Sequence, residues 1–206
     1  MLIPDGERTT LCLSSQVGCS LSCKFCHTGT QKLEKNLSSA EIVSQYLVAG
    51  ARRPVSNLVF MGQGEPLYNW RNVARAVQIL TDPTGPGLNR SKVVISTSGI
   101  APAIPKIAQE LGVQLAVSLH ATNDTLRTEL MPINATYPIA ELIASCRQFV
   151  QLSRAANRRI TFEYVMLDGV NDDVRTDAGA LVTLLKDLPA HVNLMYQNSL
   201  CVCPCD

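Results

Sequence analysis

The sequence predicts an α/β fold built around a parallel β-sheet. Short β-rich runs alternate with amphipathic stretches along the whole chain, which is the pattern of successive βαβ units. Hydrophobic residues make up 46% of the 206 residues and charged residues only 17%, so many side chains must face inward. This composition argues against disorder and is typical of a parallel sheet covered on both sides, within a single domain that has a sizeable core.

The first half of the chain yields three strands. Apolar runs predict strands at 10–14, 57–61 and 92–97. Ser38 and Glu41 have capping-box spacing, which predicts a helix to about residue 49, and Pro54 ends it. Asn69 is the predicted N-cap of a second helix, which carries an apolar face to residue 80 and is followed by a Pro/Gly loop at 83–87.

The second half repeats the alternation of strand and helix. Apolar runs predict strands at 114–119, 159–167 and 192–196. Helical spacing predicts helices at 104–111, 124–130, 139–152 and about 178–185. Cys146 lies on the apolar face of the helix at 139–152, so a buried core thiol is expected there.

Periodicity leaves two architectures open. Six consecutive units with right-handed crossovers suit either an open doubly wound sheet or a curved partial barrel. In both architectures ligands gather at the carboxyl ends of the strands. A motif that directly follows a predicted strand is therefore a candidate for the functional site.

Charge and hydropathy limit the partners and the compartment that the sequence predicts for the protein. Eighteen basic and 17 acidic side chains give a net charge of +1, so no overall positive field indicates nucleic-acid binding. No apolar stretch approaches the roughly 20 residues of a membrane span, and the polar start at 1–10 does not resemble a secretory signal. We therefore expect a cytoplasmic or organellar reducing compartment, where cysteine clusters more often hold metal than form disulfides.

Three of the eight cysteines form a C-x3-C-x2-C motif at Cys19, Cys23 and Cys26. Three thiolates on one short loop can converge on a single soft metal centre, one ligand short of a closed four-cysteine site. A 4Fe–4S cluster held in this way leaves one iron open to a small molecule. The alternatives are a structural zinc site completed by His27 or Cys12, and a disulfide.

Three further motifs each follow a predicted strand. In Gly62-Gln63-Gly64-Glu65-Pro66 the glycines allow close backbone approach, and the carboxylate can pair with an ammonium group. This is not a dinucleotide fingerprint, because residue 67 is Leu instead of the third Gly. Ser96-Thr97-Ser98-Gly99 and Ser118-Leu119-His120 offer hydroxyls and an imidazole for ribose and carboxylate groups, although each alone also fits strand-end capping.

The string Cys19-Ser20-Leu21-Ser22-Cys23-Lys24-Phe25-Cys26 resembles the cluster motif of radical S-adenosylmethionine (SAM) enzymes. The resemblance implies a partial (β/α)6 barrel of parallel strands and a 4Fe–4S cluster on Cys19, Cys23 and Cys26. It also implies SAM chelated to the open iron and cleaved by one electron to a 5′-deoxyadenosyl radical. Phe25 stands where the superfamily usually places an aromatic beside the adenine, with ordinary packing as the alternative.

A longer series of motifs, spread over roughly residues 3–198, resembles the RlmN/Cfr group, which methylates adenine in ribosomal RNA and, for part of the group, in transfer RNA. These motifs are 14–19, 61–67, 96–99, 118–121, 131–134 and 163–167. The resemblance implies a rRNA substrate, with tRNA as a second candidate, a reducing partner such as flavodoxin or ferredoxin, and a monomer. It also assigns a set of SAM contacts, namely Gly64, Glu65, Ser96, Ser118, Leu119, His120 and Asn198.

The family mechanism implies two cysteine roles beyond cluster binding. One near the carboxyl terminus carries a methyl group to adenine, and a cluster-loop cysteine, here Cys23, resolves the resulting crosslink to RNA. Cys12 matches a family cysteine near the active site, without an assigned role. The sequence does not show the methyl-carrying cysteine in its family context, nor the amino-terminal accessory domain, so we expect a truncated chain that is inactive alone.

The expected organisation is a radical SAM core at 1–198 and a divergent tail at 199–206 that contains Cys201, Cys203 and Cys205. A tail cysteine could replace the methyl carrier, because the tail leaves from the end of the last strand where the ligands gather. Two other functions stay open. One is a radical SAM enzyme with another substrate, and the other is a non-catalytic metal-binding protein.

Overall fold

The structure, a computed structural model, describes residues 1–197. The strands in this range are β1 (Leu2–Asp5), β2 (Arg8–Cys12), β3 (Gln16–Val17), β4 (Lys35–Asn36), β5 (Asn57–Phe60), β6 (Val93–Thr97), β7 (Gln114–Ser118), β8 (Ile160–Leu167) and β9 (Ala190–Gln197). The helices are α1 (Ser39–Gly50), α2 (Trp70–Thr81), α3 (Ile104–Lys106, followed by a π-turn over Ile107–Leu111), α4 (Asp124–Leu130), α5 (Ile139–Leu152) and α6 (Asp177–Leu185).

The main sheet has the strand order β1-β2-β5-β6-β7-β8-β9. All its neighbours pair in parallel except β1, which pairs antiparallel with β2. After β1 the strands follow chain order without reversal, so there is no switch point of the kind that defines a doubly wound sheet. The curled parallel sheet is a partial barrel, which confirms the fold that the resemblance implied.

The two faces of this sheet differ in burial. One face, formed by residues such as Leu58, Ile95 and Val117, is fully buried in the hydrophobic core together with helix residues. The opposite face, termed here the inner face, carries several partly buried residues such as Cys12, Ser96 and Ser118, although Ala116 on the same face is fully buried. The expectation of a sheet covered equally on both sides is therefore wrong, because all crossovers of a one-way winding lie on the same side.

A local capping signal explains where α1 begins, whereas the side chain predicted to cap α2 makes other contacts. The Ser38 hydroxyl accepts a hydrogen bond from the Glu41 N–H at 3.2 Å, and the Glu41 carboxylate accepts one from the Ser38 N–H at 2.9 Å. The predicted capping box is thereby confirmed. Asn69 precedes α2 as predicted, but its side chain does not cap the helix. Its side-chain oxygen instead accepts from the Asn72 amide at 2.8 Å, while its own amide donates to the carbonyls of Ser15 and Leu37.

Replacing Ser38 with alanine is expected to lower the free energy of unfolding by about 1 kcal/mol, because the N3 amide of α1 loses its acceptor. The measurement is urea-induced unfolding followed by circular dichroism. Ser44→Ala, an exposed substitution within the same helix, is the matched control and should change the unfolding free energy by less than about 0.5 kcal/mol. Equal effects of the two substitutions would contradict the capping role.

Several parts of the fold have no counterpart in the sequence analysis. The edge strand β1 and the small β3–β4 ribbon were not predicted, and the predicted helix at 104–111 is split into α3 and a π-turn. Cys146 is fully buried, as predicted. No helix within residues 1–197 has the length and apolar character needed to cross a membrane.

Candidate active site

A cavity of about 300 Å³ opens at the carboxyl ends of the parallel strands. This volume is at the lower end of the range for small-molecule sites. Its wall combines the cysteine loop with the segments that follow β5, β6 and β7, and with β8 and β9. Every predicted site residue within 1–197 except Leu119 lines this cavity. Asn198 and the tail cysteines lie outside the described residues.

The cysteine loop lies over one side of the cavity. The Cys26 N–H donates to the Cys23 carbonyl at 3.1 Å, which folds the loop back so that all three thiols face the same space. The Leu21 N–H donates to the Cys19 sulfur at 3.4 Å. Such N–H···S bonds are among the features that set the potential of an iron–sulfur cluster. The loop is thus already folded to present three ligands.

Burial raises the pKa of the Cys19 thiol, and it raises the pKa of Cys23 to about 12, with a further contribution from the neighbouring thiols. Thiolates next to one another in an apolar setting are costly unless a metal compensates their charge. Among residues 1–197, no group of three or more His, Cys, Asp or Glu side chains is arranged around a single ion. A four-iron cluster binds each thiolate to a different iron, so it does not require the three sulfurs to meet around one ion.

Both alternatives for the cysteine motif are disfavoured by the surrounding residues. His27 begins the exposed turn His27–Thr30 and does not reach the cavity wall. Cys12 lies on β2, outside the cavity wall. All five cysteines in the described part of the chain are free thiols, so no disulfide involves the motif there.

Glu65 is the buried acid of the site, with 2% of its surface exposed. Its carboxylate accepts hydrogen bonds from the Ser98 N–H at 2.7 Å and the Leu67 N–H at 3.0 Å. Burial raises its pKa, and these bonds counteract part of the rise. Within residues 1–197 no cation pairs with it. A buried carboxylate of this kind can receive an ammonium group from a ligand.

Gly64 makes the approach to Glu65 possible. Its φ is +92°, and an added Cβ would come within 2.4 Å of the Gln16 Cβ. Gln16 accepts a hydrogen bond from the Glu65 N–H at 2.8 Å, so the turn is held against β3. Only glycine combines this backbone conformation with this close packing.

The strand-end residues differ in what they offer to the cavity. Ser96 and Ser118 lie on the inner face and line it, as predicted. The side chain of Leu119 is fully buried and does not line the cavity, so the SAM contact expected of this residue stays a prediction. Its N–H donates to the Glu163 carbonyl and its carbonyl accepts from Arg127, so its main chain is also engaged.

His120 is held as a neutral imidazole on a backbone of positive φ. Its φ is +55°, and its Nδ1 accepts a hydrogen bond from the Val165 N–H at 3.0 Å. The proton of the neutral imidazole therefore resides on Nε2, which is buried and has no partner. Burial lowers the pKa of His120 to about 3, with a smaller contribution from the Arg127 charge. The Phe25 ring packs against it at 4.3 Å between centroids, edge to face, while also lining the cavity.

His120 should make stability depend on pH. Below its ordinary pKa of 6.5 the unfolded chain binds a proton that the folded protein rejects until about pH 3, so the unfolding free energy falls as pH falls. Between pH 7 and pH 5 the wild type should lose about 2 kcal/mol more than His120→Asn, a variant that tolerates the positive φ. Urea unfolding at both pH values measures this. Replacement of the exposed His191 is the control and should leave the pH dependence unchanged.

Three residues of the site were not predicted individually from the sequence. The Ser98 N–H binds Glu65, and Glu163 lines the cavity from β8 with its carboxylate bonded to Asn193 at 2.7 Å. The motifs containing Ser98 and Glu163 were noted, but no local signal indicated their contacts. Arg127 had no signal at all, since an arginine within a short polar helix is expected to face solvent.

The residues present fit an iron–sulfur cluster and SAM. Three convergent free thiols supply the cluster ligands, and the buried carboxylate of Glu65 lacks a cation. The Nε2 proton of His120 is a buried donor without an acceptor at the cavity wall. A ligand that carries an ammonium group and acceptor oxygens would satisfy both groups.

Comparison with known proteins agrees with this geometry. A family described as the radical SAM superfamily matches residues 13–181, so the chain belongs to the radical SAM superfamily, whose cofactors are a 4Fe–4S cluster and SAM. At the level of individual proteins, it is 52% identical over 95% of its length to proteins named dual-specificity RNA methyltransferase RlmN, from Azorhizobium caulinodans and Rhodospirillum rubrum. It covers 52% and 48% of these two proteins, which is about half their length.

Solved structures give the same result for the fold. A radical SAM methyltransferase from Sphaerobacter thermophilus matches 94% of this chain with a TM-score of 0.89 and 46% identity, over 57% of its own length. The SuiB protein of Streptococcus suis, solved with its precursor peptide SuiA, matches 92% with a TM-score of 0.67. At 14% identity the second likeness concerns the fold alone.

Proposed function

We propose that this chain is the core of a radical SAM enzyme that methylates carbon 2 of adenine in ribosomal RNA and also in transfer RNA. The observation that carries the proposal is the 52% identity to the RlmN proteins, combined with a cavity that brings the cysteine motif, Glu65 and His120 together. When bound, the cluster and SAM supply a 5′-deoxyadenosyl radical. The protein residues bind and orient these groups and exclude water from them.

Each side chain has a proposed task. Cys19, Cys23 and Cys26 bind three irons, and Glu65 accepts the ammonium group of SAM in its buried turn. His120 donates its Nε2 proton to an oxygen of SAM, while Val165 keeps the imidazole in that tautomer. The hydroxyls of Ser96 and Ser118, which line the same wall, bind polar groups of SAM. Gly64, the carbonyl of Leu119, whose oxygen can accept a second hydrogen bond, and Asn198 complete the contacts that the resemblance assigned.

Two cysteines are candidates for the thiol that resolves the crosslink to RNA. The resemblance assigned this step to Cys23, and that assignment stays a prediction. Cys23 is also one of only three thiols at the cavity among the described residues, and a thiolate bound to iron is not free to attack carbon. Cys12 is a free, half-buried thiol on the inner face and is not one of the three predicted cluster ligands, so its sulfur stays available as a nucleophile. Burial raises its pKa, so a base must accept its proton.

The same chemistry supports proposals for the compartment, the electron donor and the oligomeric state. We propose a cytoplasmic, reducing compartment, which free cysteines and an oxygen-sensitive cluster require. A low-potential partner such as flavodoxin or ferredoxin supplies the electron, and the catalytic unit is a monomer. We also propose that 1–198 forms the core and 199–206 a separate cysteine-containing tail, which is supported by the family match within the first of these ranges.

The test is anaerobic reconstitution of the chain, followed by assays of 5′-deoxyadenosine and of methyl transfer from labelled SAM to a ribosomal RNA fragment and to transfer RNA. Formation of both products supports the proposal. Cleavage of SAM without methyl transfer would support the radical step alone, because the sequence does not show the methyl-carrying cysteine in its family context. Zinc without iron or sulfide in anaerobically purified protein would favour the non-catalytic alternative, and an intact cluster without any cleavage would contradict even partial activity.

A further inference from the structure

Arg127 is a buried cation outside the groups assigned so far. It lies on α4 with none of its surface exposed, and no other Lys or Arg within residues 1–197 is buried. Its Nε donates to the Leu119 carbonyl at 3.1 Å, and one terminal nitrogen donates to the carbonyls of Ser98 and Ser118, both at 2.9 Å. The other terminal nitrogen donates to the Asn134 side-chain oxygen at 2.8 Å. The planar guanidinium thus satisfies four acceptors at once.

Two of these acceptors, the carbonyls of Ser98 and Ser118, belong to residues that line the cavity, and the third belongs to the next residue, Leu119. The Ser98 carbonyl follows β6, and the carbonyls of Ser118 and Leu119 follow each other at the end of β7. The Ser98 N–H binds Glu65, and His120 is the next residue after Leu119. One guanidinium therefore links the end of β6, whose Ser98 N–H binds the buried acid, to the end of β7, which leads into His120.

The surrounding residues are shaped for this arginine. Gly99 has a φ of +113°, and an added Cβ would approach a terminal nitrogen of Arg127 to 3.1 Å. Asn134 accepts from Arg127, and its amide donates to the Asp124 carboxylate at 2.9 Å. This arrangement gives a structural reason for the Met131-Pro132-Ile133-Asn134 motif.

The same helix also holds the cysteine loop. The Lys24 N–H, between the second and third cysteines of the motif, donates to the Leu130 carbonyl at the end of α4 at 3.0 Å. The Lys24 ammonium and the Glu129 carboxylate add an exposed contact at 3.2 Å. Helix α4 therefore connects the loop that holds the cluster to the strand ends that face SAM.

The charge of Arg127 is not cancelled by an ion pair within the described residues. Burial lowers its pKa to about 10, so it keeps its proton at neutral pH. The hydrogen bond from the Lys24 N–H to the Leu130 carbonyl places its helix against the cysteine loop. Reduction adds one negative charge to an iron–sulfur cluster. A buried positive charge nearby favours the reduced state, because low local polarity weakens screening.

We propose that Arg127 is a positioning residue of the radical SAM site. It holds the strand ends of β6 and β7 in the geometry that binds SAM, and its charge raises the reduction potential of the cluster. The proposal concerns cofactor binding and does not depend on the identity of the RNA substrate. It can therefore fail while the proposed methylation stands, and the reverse also holds.

The test compares Arg127→Lys and Arg127→Met in the reconstituted 206-residue chain. Both variants lose the fork of donors, so both should bind SAM at least tenfold more weakly, measured anaerobically by equilibrium binding. Only Arg127→Met loses the charge, so only this variant should show a more negative potential in a redox titration followed by electron paramagnetic resonance. Arg147→Met, at an exposed position of α5, is the control and should change neither quantity.

If the arginine variants do not fold, Asn134→Ala provides a second test of the proposal. It keeps the charge but removes one anchor of the guanidinium, so SAM binding should weaken severalfold while the potential stays as in the wild type. The proposal is overturned if Asn134→Ala, or either folded arginine variant, binds SAM as tightly as the wild type. A potential of Arg127→Met equal to that of the wild type would overturn the role of the charge.

Discussion

Cys19→Ala, Cys23→Ala and Cys26→Ala are each expected to abolish stable cluster binding. Each substitution leaves two thiolates, and no other cysteine of the described residues lines the cavity to replace the lost ligand. The readout is iron and acid-labile sulfide per chain after anaerobic reconstitution, together with the electron paramagnetic resonance spectrum of the reduced protein. Iron content should fall from about four per chain to near zero.

Cys12→Ala is the matched control for these variants. It removes a half-buried thiol from the neighbouring strand β2 and should leave the iron content unchanged, although it should impair methyl transfer if Cys12 is the nucleophile. Loss of iron in this variant would mean that the cluster has a fourth protein ligand. The site could then not bind SAM through an open iron, and the proposed function would fail.

Glu65→Gln is expected to weaken SAM binding by roughly 30-fold or more, the equivalent of about 2 kcal/mol or more for a buried, hydrogen-bonded charge pair. The amide keeps the size of the side chain but loses the negative charge that we assign to the ammonium group of SAM. It also cannot accept from both the Ser98 and Leu67 N–H groups. Equilibrium binding of SAM to the anaerobically reconstituted protein measures the effect.

A purely structural role of Glu65 would give a different result. The apo-protein should tolerate the substitution, because removal of a buried charge offsets the loss of one accepted hydrogen bond. Thermal unfolding of the apo-protein should therefore change little, while the stabilisation by added SAM disappears. Glu34→Gln, an exposed substitution beside β4, is the control. A large loss of apo-stability with unchanged SAM affinity would contradict the assignment.

The strands of the parallel sheet could be predicted because their signals are local. Runs such as Val93–Thr97 and Gln114–Ser118 are apolar, β-branched and bounded by turns, and their order along the chain is also their order in space. Strand β1 lacks such a signal, since Leu2–Asp5 contains Pro4 and its residues are largely exposed. Its pairing with β2 arises from the short turn between them, which periodicity does not detect.

The site shows the same division between local and distant causes. The cysteine motif and the turn around Glu65 each fit within a few residues, so their chemistry could be inferred from spacing. The burial of Arg127 depends on carbonyls at the ends of two strands and on the side chain of Asn134, and nothing within α4 indicates it. The side-chain role of Asn69 was wrong for the same reason, since its acceptors at Ser15 and Leu37 are distant in sequence.

The hydrogen bond between Lys24 and Leu130 has a consequence for how the protein matures. It joins residues that are far apart along the chain, so the cysteine loop reaches its final conformation only after four of the parallel strands have assembled. Pairings of such long range form slowly and late. We therefore expect the cluster to be inserted after the sheet has formed, when the three cysteines have been brought into place.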